Sequence, residues 1–195
     1  MRTAAVFAIG GLVAVIAGCS VAATPSASSP VPAPVASPWE VPVQTGTAFT
    51  LSSTAFQNGG AIPRRFTCDG ENVSPDLEWR GTPEGTVEMA LIVDDPDARD
   101  FTHWVVYQMT SSATGGLPEA ISSSPDAPPQ GLNDFGSVGY GGPCPPSGRP
   151  HYRFTLYALR KPLEVRGTPR GRDLRALIEG RASGVAVLIG TCQRG

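Results

Sequence analysis

Apolar residues along this chain come in short runs separated by Gly, Pro, Asn and Asp. They fall at Phe49 to Leu51, Ile62 to Thr67, Leu77 to Trp79, Val87 to Val93, His103 to Met109, Tyr152 to Leu159 and Ser183 to Thr191. Runs of this length bounded by turn formers predict strands. In one of them Tyr152, Phe154, Leu156 and Ala158 alternate with His151, Arg153, Thr155 and Tyr157, the period of two expected of a half-buried strand. A helical period shows only over Arg172 to Glu179, where Leu174, Leu177 and Ile178 stand at i, i+3 and i+4 before a Gly180 stop. Strands followed by one helix and a last strand, with no βαβ alternation, predict a mainly β domain, an antiparallel β-sandwich with a short C-terminal helix.

The first 46 residues follow another pattern. Arg2 precedes an apolar stretch from Ala4 to Ala17, closed by Ile16-Ala17-Gly18-Cys19. This is shorter than the roughly 20 apolar residues of a membrane span and has the layout of an export signal over residues 1–18. The small residues before Cys19 resemble the lipobox of bacterial lipoproteins, which implies a diacylglyceryl thioether on Cys19, palmitate-type acyl chains and a place on the cell membrane. The alternative is an ordinary signal peptide with a coincidental Cys19 and a freely secreted product. From Cys19 to residue 46, prolines at 25, 30, 32, 34, 38 and 42 stop helix and sheet alike, so this segment is expected to be an extended tether. Residues 47–195 remain for one domain, enough for a sizeable core.

Charge narrows the function classes. The chain carries a net −2, or −3 once Arg2 leaves with the signal, and its basic residues are scattered rather than gathered in a patch, which argues against nucleic acid as a partner. The chemistry is concentrated in two stretches. Val93 to Trp104 holds Asp94, Asp95, Asp97, Asp100 and His103 between two apolar runs, the setting of a polar loop fixed by buried strands. Gly136 to His151 is rich in Gly and Pro and ends on the other of the chain's two histidines. Its backbone N–H groups suit either an anion-binding nest or a structural Ω-loop. Asp134-Phe135-Gly136 spells a kinase triplet without the other kinase motifs, and Ser137 lacks the G-x-S-x-G frame of a hydrolase elbow. No cofactor motif and no metal site is expected.

Thr67-Cys68-Asp69-Gly70-Glu71-Asn72-Val73-Ser74-Pro75-Asp76-Leu77-Glu78-Trp79, Asp94-Asp95-Pro96-Asp97-Ala98, His103-Trp104, Gly141-Gly142-Pro143-Cys144-Pro145-Pro146-Ser147-Gly148 and His151-Tyr152-Arg153-Phe154 occur in that order. Together they resemble the phosphatidylethanolamine-binding protein family, in particular its bacterial branch related to the Raf kinase inhibitor protein. The resemblance implies a Greek-key β-sandwich and a small pocket for phosphate-like or carboxylate anions, without a settled enzymatic activity. Carried over residue by residue, the pocket would be lined by Asp95, Asp97, His103, Tyr140, Gly142, Pro146 and His151. Cys192 stands where relatives often carry tyrosine, and Phe101 where some have tryptophan, which puts the ligand preference in doubt. The resemblance also brings Cys68 and Cys144 to one end of the sandwich. That pairing is favoured among three, with free thiols as the alternative.

In such a site the carboxylates would orient the imidazoles of His103 and His151 and raise their pKa from about 6.5, so that imidazolium donates to an oxyanion and affinity rises as pH falls. Three functions follow as expectations. The first is an envelope-anchored binding module for a small oxyanion or phospholipid headgroup, regulating a signalling partner such as a kinase. The second is a metal-dependent or acid/base hydrolase using His103, His151 and Asp95. The third is a structural surface lipoprotein with a vestigial pocket.

Overall fold

The structure, a computed structural model, describes residues 48–194; the signal segment 1–18, Cys19 and the tether up to residue 46 lie outside them. In chain order the elements are β1 (Thr50–Ser52), β2 (Gly60–Ala61), β3 (Leu77–Arg80), β4 (Glu88–Asp95), β5 (Phe101–Thr110), β6 (Thr114–Leu117), β7 (His151–Leu159), α1 (Gly171–Ile178) and β8 (Ala182–Thr191). They form a three-stranded sheet of order β1-β3-β6 and a five-stranded sheet of order β2-β8-β7-β4-β5.

The two sheets share one core. Leu51, Trp79 and Leu117 of the small sheet pack in a single cluster with Met89, Leu91, Val93, Trp104, Phe154 and Leu188 of the large one. The intervening residues of β4 face the other way: Ala90 and Ile92 cluster with Leu174 and Ile178 of α1. Because both faces are covered, all eight residues of β4 are buried. This is why Met89 to Val93 reads as an unbroken apolar run rather than an alternating one.

Three features depart from the sequence-based expectation. First, the large sheet is mixed rather than wholly antiparallel: β2 runs parallel to β8, with Gly60 opposite Gly190 and Ala61 opposite Thr191. Second, the run Ile62 to Thr67 is not a strand. After Pro63 the chain turns through a 3₁₀ helix at Arg64–Phe66, so Ile62 and Phe66 are buried without sheet pairing at the second of them. Third, β6 was not foreseen, because Gly115 and Gly116 hide its period. The small residue is required there: a Cβ on Gly115 would lie 2.7 Å from the Trp79 ring. The helix begins one residue earlier than the spacing predicts, and Asp173 in its first turn accepts the Arg170 N–H at 3.1 Å.

Candidate functional site

β4 ends on Asp94 and Asp95, whose side chains leave on opposite faces. Asp94 turns toward α1 and is fully buried. There it accepts from Arg153 Nε at 3.0 Å and Nη2 at 2.9 Å, and it also pairs with Arg175 of α1. Asp95 starts the 3₁₀ turn Pro96–Ala98 and caps it, its Oδ1 accepting the N–H groups of Asp97 at 2.9 Å and Ala98 at 3.0 Å. Burial pushes the Asp95 carboxyl above its usual range; the two turn N–H groups oppose this, and Asp97 adds to it. Arg99 and Asp100 then adopt consecutive left-handed conformations, φ 59° and 57°, uncommon for residues other than glycine. Asp100 is held there by Arg153 at 2.9 Å.

Asp97 organises His151. Its Oδ2 accepts both the His151 backbone N–H at 2.8 Å and the ring Nδ1–H at 2.9 Å. Desolvation works to raise the Asp97 pKa, but the His151 hydrogen bonds and charge outweigh it and hold the carboxyl below its usual range. Two residues that are 54 positions apart are thereby joined, and Asp97 also lines a surface cleft of about 400 Å³ with Asp95, Ala98, Pro145, Pro146, Ser147, Arg149 and Pro150.

His103 lies elsewhere. β4 and β5 shift register between Val93, opposite Trp104, and Asp94, opposite Thr102, which leaves His103 as the extra residue of a bulge. Bulges re-aim a side chain, and here the imidazole is only 3 % exposed. It packs edge-on against Phe101, Phe135 and Tyr152, with Nδ1 donating to Gly141 O at 2.6 Å. Desolvation lowers its pKa, against the Gly141 and Gly142 backbone and the Asp134 charge. The expectation that neighbouring carboxylates raise this pKa is therefore corrected: burial dominates and moves it below the usual imidazole value.

The glycine loop is likewise spent on its own closure. Gly141 N–H donates to His103 O at 2.9 Å, Gly142 N–H to Asn72 Oδ1 at 2.7 Å, and the Tyr140 hydroxyl to Phe66 O at 2.8 Å. A Cβ on Gly142 would stand 2.4 Å from Phe66 O and 2.6 Å from Asn72 Oδ1, so this glycine allows chain to approach chain rather than ligand. Of the expected pocket residues, Asp95, Asp97 and Pro146 line the cleft and His151 is bonded to one of them, Asp97, while His103, Tyr140 and Gly142 are not part of its lining. Burial, first of all, also pushes the Tyr152 phenol up, with Asp95, Cys192 and Asp97 adding to the shift. Sequence reasoning missed Arg149, a cation of the cleft two residues before His151 in the same loop; that proximity was the available signal. Among the described residues no group of three or more His, Cys, Asp or Glu side chains is placed to hold a metal ion. The two-histidine, one-carboxylate arrangement thus has no geometry to rest on.

Cys68 and Cys144 are joined by a disulfide with Cα atoms 5.3 Å apart, and Cys192 is buried as a free thiol. No helix among the described residues is long and apolar enough to cross a membrane.

Comparison with known proteins agrees with this architecture. The chain is 45 % identical over 150 residues to a UPF0098 protein of Methanothermobacter thermautotrophicus, covering 74 % of the chain and 99 % of that relative. It is 38 % identical over 186 residues to a Mycobacterium tuberculosis protein named "Putative lipoprotein LppC", covering 92 % of the chain and 90 % of the relative. Among solved structures, the phosphatidylethanolamine-binding protein homologue CT736 of Chlamydia trachomatis aligns with a TM-score of 0.70 at 32 % identity, over 77 % of this chain and all of that one. YbcL of E. coli, described as a member of the mammalian PEBP family, aligns at 0.69 and 29 %, over 75 % and 99 %. The model of the phosphatidylethanolamine-binding protein family matches residues 52–193, and with the two-sheet core and the Asp-Pro-Asp turn in place, the chain belongs to that family.

Proposed function

We propose that this protein is an envelope-anchored binding module that takes a small oxyanion of the phosphate or phospholipid-headgroup type in the cleft beside His151. The observation that carries the reading is the double hydrogen bond from His151 to one oxygen of Asp97. It fixes the imidazole's orientation beside a cleft that Asp97 and Arg149 line. The acids do not oppose an anion as strongly as their number suggests, since Asp95 is engaged by the turn N–H groups and Asp97 by His151. The Arg149 guanidinium supplies a charge-assisted donor, and the imidazole of His151 stands beside the same cleft. An acid/base hydrolase built on both histidines is less well supported, because the His103 ring is buried and committed to Gly141.

The test is sulfate binding to the full chain at one fixed pH. A hydrogen bond to a charged group is worth about 1.5 kcal/mol or more, so His151→Ala should weaken sulfate binding at this cleft about tenfold. Sulfate affinity unchanged by His151→Ala would remove the reading.

Anchoring rests on Ile16-Ala17-Gly18-Cys19 and on the lipoprotein-named relative, whose 92 % coverage extends beyond the described domain. Cys19→Ser should move the protein from the detergent phase to the aqueous phase on phase partitioning. Unchanged partitioning would show that Cys19 carries no lipid.

A further inference from the structure

A larger cleft of about 740 Å³ shares Arg149 with the first, and its lining also includes Arg64, Thr67, Asp69, Thr191 and Arg194. Three arginines face one carboxylate in a chain whose net charge is −2. Asp69 does not balance them all, since it is taken by Arg194 in a bidentate pair at 3.0 and 2.7 Å. Among the described residues neither Arg64 nor Arg149 has a carboxylate partner. Arg149 is positioned all the same, its Nε donating at 3.3 Å to Oγ1 of Thr191, a buried residue. Arg64 is fixed at its backbone as the first residue of the 3₁₀ turn, where the Thr67 hydroxyl donates to its carbonyl at 2.8 Å.

Two guanidinium groups lining one concave surface without a counter-ion repel each other, and planar guanidinium recognises tetrahedral oxyanions through paired N–H bonds. We propose that this cleft is a second binding site, for a phosphate-type oxyanion held by Arg64 and Arg149, distinct from the cleft beside His151. It is built from three separate parts of the chain: the turn at Arg64–Phe66, the loop leading into β7, and the end of β8. The Cys68–Cys144 disulfide ties the first two together. The oxyanion is carried either by a soluble phosphorylated compound or by a lipid headgroup, which present the same chemistry to the two arginines.

Sulfate titration of the isotope-labelled full-length Cys19→Ser chain, followed residue by residue by NMR, separates the two sites. Two binding events are expected, one shifting the resonances of Arg64 and Thr191 and one shifting those of Asp97 and His151. Arg64→Gln should weaken the first roughly tenfold or more and leave the second detectable, since Arg64 lines only the larger cleft, while His151→Ala should do the reverse, although Arg149 lines both. A single event that responds to His151→Ala but not to Arg64→Gln overturns the second site and leaves the proposed function standing. A single event that responds only to Arg64→Gln retains the second site and removes the proposed function, and absence of binding removes both. Co-sedimentation of the same chain with phosphatidylglycerol-containing vesicles distinguishes the sources. Binding lost on Arg64→Gln assigns the site to a lipid headgroup, and sulfate binding without vesicle binding assigns it to a soluble phosphate compound.

Discussion

Asp94→Ala should destabilise the domain by about 3 kcal/mol, the lower end of the cost of removing one partner from a buried ion pair. For a domain of this size that lowers the melting temperature by roughly 6 to 12 °C. The Asp94 carboxylate is fully buried and engages Arg153 of β7 and Arg175 of α1. Truncation would leave two cations facing each other, with Asp100 remaining for Arg153. The lower end applies because the arginine side chains keep 19 % and 31 % of their surface exposed, so water screens part of the loss. Burial already lowers the Arg175 pKa, which shows the direction of that desolvation. Replacing all three residues together, Asp94→Leu with Arg153→Met and Arg175→Leu, should recover much of the stability, because apolar side chains of similar volume avoid the desolvation cost. A melting temperature within about 2 °C of the parent for Asp94→Ala alone would show that the triad contributes nothing net. The residue before the cleft's acids is thus structural: it clamps β4, β7 and α1, and through Arg153 and Asp100 it holds the turn that carries Asp97.

The parts of the fold legible in the sequence are those where one physical signal acts alone. The runs that became β4, β5, β7 and β8 could be read because burial on one or both faces selects apolar residues over a full strand length. The two-residue β2 is too short to show any period, so its parallel pairing with β8 had no sequence signal at all. His103 shows a subtler limit. A histidine beside four aspartates suggests a raised pKa, but charge proximity along the chain is not exposure in space. The bulge that turns its ring into an aromatic wall depends on how β4 and β5 register. Gly142 lets the chain approach itself at Phe66, 76 positions away, a proximity that no local signal carries. Arg64 and Arg149 lie 85 positions apart and share no motif, so only the folded chain shows that they line one cleft.

Removing the Cys68–Cys144 disulfide should cost about 4 kcal/mol in the chain-entropy account, since the bond closes a loop with a sequence separation of 76. The expected fall in melting temperature is roughly 8 to 16 °C. The double variant Cys68→Ala/Cys144→Ala is the appropriate test, because a single substitution would leave the former partner as an unpaired thiol in addition to the free Cys192 of the same chain. Its effect should also be local. The loops it joins meet otherwise through one backbone bond, Cys68 N–H to Pro143 O at 3.0 Å, and through Asn72 and Tyr140 nearby. Arg64 stands on one side of this seam and Arg149 on the other, so the variant should lose sulfate affinity at the Arg64 site before it loses the bond between Asp97 and His151. Peptide mapping without reduction supplies the direct check, with a Cys68–Cys144 peptide expected. A peptide joining Cys144 to Cys192, or a melting temperature unchanged by the double substitution, would show that the loop reaches this position without a covalent tie.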